Sequence, residues 1–180
     1  MSGGPATSEG RGKVLAADEF AKALPVGARL LGLDVGTKTV GLALSDVTRT
    51  IASGLTTLAR GKFSADARRL LEIAQEHGVG GFVVGLPISL DGSEGPRAQA
   101  TRAFTRNLMR LTPLPILLWD ERMTTAAAER SLLEADVSRR RRAQVIDKVA
   151  ATLILQSALD RLKRFDLAAP HPPPPQGAPD

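Results

Sequence analysis

The chain has 180 residues, 43% hydrophobic and 24% charged, a balance that supports one globular domain with a packed core. It has no cysteine and only two histidines, His77 and His171, which excludes disulfides, thiolate metal sites and cysteine nucleophiles and argues against a histidine cage or a Ser-His-Asp triad. A net charge of +5 fits a polyanionic partner such as nucleic acid, while 3% aromatics and no Tyr argue against a stacking platform for single strands.

Residues 1–27 are rich in Gly, Ala and Ser and read as a largely irregular N-terminal extension, with a short helix over 15–24 ahead of Pro25. Residues 30–34 and 40–45 predict a hairpin, followed by a weaker third strand over 55–58. Ala67, Leu70, Leu71 and Ala74 recur at helical spacing within residues 64–77, and Gly78 supplies a stop. The continuous apolar run 81–86 predicts a strand covered on both faces. A helix follows over 96–111 with Pro96 at its start, then a second buried strand over 115–119, then helices over 124–135 and 143–164. Residues 166–180 form a proline-rich tail that has nothing to pack with and reads as disordered. The domain is thus expected over residues 28–165, as an α/β fold with a central mixed sheet: an antiparallel N-terminal hairpin and meander, parallel strands, and helices on both faces. No apolar run approaches the roughly 20 residues of a membrane span, and no basic-then-apolar signal peptide opens the chain, so a cytoplasmic protein without a membrane partner is expected.

Acids stand out at three places. Asp34 lies at the bend of the hairpin, on the strand face that carries Gly32 and Gly36; if Gly41, Ala43 and Ser45 share that face, a shallow floor of small residues surrounds one carboxylate. There is room on such a floor for a ligand or a closely packed helix, and the plainer reading is an acid that caps its own turn. Asp120, Glu121 and Arg122 follow a buried strand, where α/β sheets commonly bind ligands, although strands also simply end in charges. Asp147 shares a helix face with Ala150, Ala151, Ile154 and Ala158; it is either a site acid or an acid favoured by the macrodipole in a first turn. Converging, three such acids could hold divalent magnesium or manganese, hard ions that need only oxygen donors. Arg139, Arg140, Arg141 and Arg142 sit just before the Asp147 helix, a position suited to phosphate contact.

The motifs Gly32-Leu33-Asp34-Val35-Gly36-Thr37-Lys38, Ser45-Asp46, Val83-Val84-Gly85-Leu86-Pro87 with Asp91-Gly92-Ser93-Glu94-Gly95-Pro96, Asp120-Glu121-Arg122-Met123-Thr124-Thr125 and Asp147-Lys148-Val149-Ala150-Ala151 occur in this order. In them the chain resembles the YqgF/RuvX family of pre-16S rRNA nucleases and Holliday-junction-resolvase-like proteins, over about residues 29–164. The resemblance implies an RNase H-like fold and a metal-dependent endonuclease, with Asp34, Glu121 and Asp147 as catalytic acids and metal ligands. Lys38, Arg122, Arg139, Arg140, Arg141, Arg142 and Lys148 are the expected nucleic-acid contacts. It also implies that the Gly85-Leu86-Pro87 loop and the segment from Asp91 to Pro96 bring backbone donors near the site. Thr39 departs from the family, which often has a basic residue there.

The expected substrate is structured precursor rRNA, processed at the 5′ end of pre-16S rRNA. Branched DNA of the Holliday-junction kind is the alternative, and the chain is expected to act as a monomer or homodimer. A non-catalytic RNA-binding protein would keep the arginine block and lack cleavage. The Asp-x-Gly turn also resembles the first phosphate loop of actin-like ATPases, but 180 residues accommodate one lobe and no second such loop follows.

Overall fold

The structure is a computed structural model that describes residues 11–124 and 139–168, with side chains described for all of these except 139–147 and 167–168. Five strands form one sheet in the order β3-β2-β1-β4-β5: β1 (Arg29–Val35), β2 (Thr39–Ser45), β3 (Ala52–Ala59), β4 (Val79–Leu86) and β5 (Ile116–Asp120). β1, β2 and β3 form an antiparallel meander, while β4 and β5 run parallel to β1. Helices α2 (Phe63–Glu76) and α3 (Pro96–Met109) provide the crossovers, and α1 (Ala17–Ala23) and α4 (Arg139–Ala168) complete the described fold. This is the RNase H-like mixed sheet with helices on both faces that the sequence leads one to expect.

Strand alternation sorts the two cores. Leu31, Leu33, Val35, Phe82 and Val84 face one way and pack with Leu70 and Ile73 of α2 and Phe104 and Leu108 of α3. Leu30, Ala43, Val83, Leu117 and Trp119 face the other way, under Ala151, Ile154, Leu155 and Ala158 of α4. The stripe of small and branched residues on α4 is therefore its packed face, as its spacing predicts. All eight residues of β4 are buried, as expected of a strand covered on both faces.

The third strand is longer than its apolar core of 55–58 suggests, because pairing with β2 carries Ala52, Ser53 and Gly54 into the ladder past a register shift at Leu42 and Ala43. As an edge strand it has no need of a continuous apolar run. The last helix starts at Arg139, four residues before the predicted 143. The helix predicted over 124–135 falls, beyond Thr124, outside the described residues. Glu121–Met123 form a short 3-10 turn.

Within the expected N-terminal extension, Val14 bridges to Ile116 of β5 and α1 packs into the core. Leu15 N donates to Ile116 O at 2.9 Å, and Ile116 N donates to Lys13 O at 2.9 Å, so the chain satisfies backbone groups at the start of edge strand β5. Phe20 of α1 is fully buried beside Gly81, where a β-carbon would stand 2.8 Å from its ring. Gly81 leaves a hollow that this aromatic ring fills.

The β2–β3 turn is fastened by charge. Asp46 accepts hydrogen bonds from Thr48 Oγ1 at 2.6 Å, Thr50 N at 2.7 Å and Ile51 N at 3.1 Å. These donors, led by the Thr48 hydroxyl, lower its carboxyl pKa from 3.8 to about 2. Arg49, at φ 53°, donates from Nη1 to Pro25 O and Ala28 O, at 3.1 and 2.9 Å, and so ties this turn to the chain entering β1. Ser45 Oγ accepts from Leu30 N at 2.8 Å, which makes the Ser45-Asp46 motif a structural fastener.

Candidate active site

Asp34 sits near the carboxyl end of β1, 2% exposed, on the face that α4 covers. The small-residue floor exists: Asp34 pairs with Gly41 and Gly32 with Ala43 across the hairpin. A helix occupies it. A β-carbon on Gly32 would lie 2.8 Å from Leu155 Cβ and 3.2 Å from Ala151 O, so the missing side chain is what lets α4 approach the sheet. Asp34, two residues further on, shares that face toward the carboxyl ends of the parallel strands.

The neighbouring strands bring a second carboxylate to the same place. Leu33 pairs with Val84 on β4, and extending that parallel register by one residue puts Asp34 alongside Gly85. Gly85 in turn pairs with Trp119 on β5, and the chain leaves β5 through Asp120 into the 3-10 turn. There Glu121 folds back: its Oε1 is buried and lies 2.7 Å from the position a Gly85 β-carbon would take. Gly85 thus opens a notch between Asp34 on one strand and Glu121 from the next. An oxygen-only pair at such a notch suits a hard divalent cation.

The turn that carries Glu121 is closed on both sides. Asp120 Oδ1 accepts from Arg122 N at 2.9 Å, and Thr124 donates to Glu121 O from N at 3.1 Å and from Oγ1 at 2.9 Å. Arg122 also grips the Asp120 carboxylate through its side chain, with Nη2 to Oδ2 at 2.7 Å and Nε within 3.1 Å of both oxygens. The Arg122 hydrogen bonds hold the Asp120 carboxyl below its ordinary pKa, and Asp120 raises that of Arg122.

The remaining predicted residues are distributed as follows. Asp147 belongs to α4, one turn before Ala151, and its side chain lies outside the described residues, as do those of Arg139, Arg140, Arg141 and Arg142. Among the described residues no group of three acids or histidines is placed to hold a metal ion; the pair brought to one face is Asp34 and Glu121. Lys148 is half-buried on α4, its Cβ close to Gly54 of β3. Lys38 is exposed in the β1–β2 turn.

Sequence reasoning missed Arg60. It donates from Nη1 to Gly36 O at 2.6 Å and from its backbone N to Lys38 O at 2.8 Å, and it stacks over Phe104 with 5.6 Å to the ring centroid. Arg60 holds the turn next to Asp34, a role that depends on β3 ending beside that turn.

Four backbone donors of the loop after β4 bond within the loop itself. Ile88 N donates to Leu86 O, Ser89 N to Ser93 O, Gly92 N to Ser89 O and Ser93 N to Asp91 Oδ1, all at 3.0 Å or less. At these four positions the loop closes on itself, through a Gly at φ 86° and an Asp-capped turn. A cleft of about 460 Å³ runs along the outer side of β5, lined by Val14, Leu86, Trp119, Asp120, Met123 and Arg161; neither Asp34 nor Glu121 lines it.

The family model described as "RuvX: Holliday junction resolvase" matches residues 28–161. A protein of Paracoccus denitrificans named "Putative pre-16S rRNA nuclease" is 62% identical over 146 residues, covering 81% of this chain and 92% of that protein. Proteins of the same name from Rhodobacter capsulatus and Rhodopseudomonas palustris are 61% identical over 151 residues (84% of this chain, 95% of theirs) and 64% identical over 138 residues (77% and 86%). Among solved structures, Thermus thermophilus RuvC in complex with a Holliday junction substrate is similar with a TM-score of 0.48 and 12% identity, covering 75% of this chain and 96% of that one. With residues 28–161 matched by one family model and relatives about 60% identical over nearly their whole length, the chain belongs to the RuvX family.

Proposed function

We propose that this chain is a divalent-metal-dependent endonuclease that hydrolyses phosphodiester bonds in structured precursor rRNA at the 5′ end of pre-16S rRNA. The observation that carries the reading is the notch at Gly85, where Asp34 of β1 and Glu121 of the turn after β5 reach one face of the sheet. Family membership and the names of the relatives support the choice of reaction and of RNA. Asp34 and Glu121, joined by Asp147 from α4, are the residues that would hold magnesium or manganese. Such ions supply activation of a water and stabilisation of the leaving oxygen in phosphodiester cleavage.

The protein contributes fixed geometry. Asp34 is locked on a fully paired strand and Glu121 on a turn closed at both ends, so neither acid loses much freedom when the site assembles. Lys38, Lys148 and the block Arg139, Arg140, Arg141 and Arg142 supply the cations for backbone phosphates. Among the described residues no helix is long and apolar enough to cross a membrane, and the cytoplasm is the compartment that fits the proposed substrate.

The family description favours branched DNA as the second reading. A side-by-side assay on precursor rRNA and a four-way junction, each with magnesium and with manganese, separates the two. The expected result is cleavage of the RNA that disappears in Asp34→Asn while its circular dichroism spectrum stays native. Cleavage of the junction alone selects the DNA reading. Binding of both substrates without cleavage of either, or unchanged cleavage by Asp34→Asn, overturns the enzyme.

A further inference from the structure

Arg122 is expected from sequence to hold nucleic acid, yet its guanidinium is already occupied. It meets the Asp120 carboxylate through a bidentate fork, at 37% side-chain exposure against 24% for Asp120. That pair spans Glu121, the residue between them. Its other nitrogen, Nη1, reaches the neighbouring loop, 3.7 Å from where a Gly92 β-carbon would stand, and Asp91 adds a further attraction. The loop is in turn pinned to α3 by Arg102, whose Nε lies 2.9 and 3.0 Å from the two Glu94 oxygens. Ion pairs thus join α3 to the loop and Arg122 to Asp120, and the attraction between Asp91 and Arg122 links that loop to the turn that aims Glu121 at Gly85.

We propose that Arg122 is a positioning residue for Glu121: with Asp120 it forms a splint that fixes the direction of the Glu121 carboxylate, and it does not bind substrate phosphate. The inference rests on the reading of Glu121 as a metal-holding acid. Its physical basis is the planar fork, which a lysine ammonium cannot reproduce although it carries the same charge. A phosphate contact and a splint thus differ in how they tolerate Arg122→Lys and in whether Asp120 matters at all.

The test uses the full chain with Arg122→Lys, Asp120→Asn and the double variant. Three quantities are read for each: manganese affinity by calorimetry, kcat and KM for precursor RNA, and the salt dependence of RNA binding. The splint predicts that each single variant lowers kcat and manganese affinity by roughly 10–100-fold, the range for residues that orient a metal ligand. KM and the salt slope stay at the wild-type values, and the double variant is no worse than the poorer single one, because the pair acts as a unit. Native unfolding midpoints for the conservative Arg122→Lys separate misdirection from collapse of the fold.

The proposal is overturned if Asp120→Asn keeps wild-type kcat and manganese affinity. It is equally overturned if the loss in Arg122→Lys appears as raised KM with a salt slope reduced by about one, the signature of a lost phosphate contact. Absence of cleavage by the wild type sinks the nuclease reading, while manganese calorimetry on the same variants still decides the splint. A wild type that binds no manganese removes both.

Discussion

Gly85 and Glu121 are matched in shape: a β-carbon on Gly85 would stand 2.7 Å from Glu121 Oε1 and 2.5 Å from Ile154 Cδ1. Both neighbours are the far ends of side chains, so Gly85→Ala leaves the backbone able to fold. The carboxylate and the Ile154 methyl must instead move. The expected outcome is a cost of about 1–3 kcal/mol, as for overpacking elsewhere, together with a fall in cleavage rate larger than stability accounts for. Urea unfolding and single-turnover cleavage on the same preparation check it; wild-type cleavage by Gly85→Ala removes the notch from the mechanism.

Gly32 makes the contrasting case. Its missing β-carbon admits Leu155 Cβ at 2.8 Å and the backbone oxygen of Ala151 at 3.2 Å. A helix backbone cannot swing aside as a side-chain end can. Gly32→Ala therefore lifts α4 from the sheet and costs at least as much stability as Gly85→Ala, again on the order of 1–3 kcal/mol. Equal urea midpoints for Gly32→Ala and the wild type would show that α4 does not depend on this close approach.

These two glycines also mark how far the sequence could be read. The floor around Gly32 follows from alternation along β1 and β2, and the α4 face follows from the spacing of Ala150, Ala151, Ile154 and Ala158, because both are properties of one segment or of a tight hairpin. The notch at Gly85 depends on the register of β4 against β1 and of β5 against β4, which are set by packing between segments far apart in the chain. The pairing of Arg122 with Asp120 was hidden for a related reason: it depends on the turn that folds the two residues onto each other. Arg60, distant in sequence from the turn it supports, carried no local signal.

The N-terminal segment should contribute to stability although it lies before the family match, which begins at residue 28. Phe20 is fully buried against Gly81 and joins the core under α4. Removing the ring leaves a cavity that the sheet, held by its ladder, can only partly close. Phe20→Ala is expected to cost about 3–5 kcal/mol in chemical denaturation. A loss below about 1 kcal/mol would mean that the ring is not anchored as described.

Acid should loosen the β2–β3 turn late. The Asp46 pKa is lowered from 3.8 to about 2, chiefly by the Thr48 hydroxyl. A depressed carboxyl pKa means that its contribution is complete above the unfolded value near 3.8 and is lost as pH falls from there through about 2. In Asp46→Asn this pH dependence vanishes, since the amide does not titrate. Carbon-detected NMR of the Asp46 carboxyl gives the midpoint directly, and an ordinary midpoint near 3.8 would contradict the turn geometry.

The arginine block provides the test of substrate grip that is independent of chemistry. Arg139, Arg140, Arg141 and Arg142 occupy the first turn of α4, the helix that also carries Asp147. Four cations seated on phosphates release condensed counterions on binding, and each contributes about 0.7–0.9 to the slope of log affinity against log salt. Replacing all four by alanine should therefore flatten that slope by roughly 3 and weaken binding most at low salt. Fluorescence anisotropy of labelled precursor RNA over a potassium chloride series measures both. Parallel lines for wild type and variant would place these arginines away from the nucleic acid, leaving Lys38 and Lys148 to hold it.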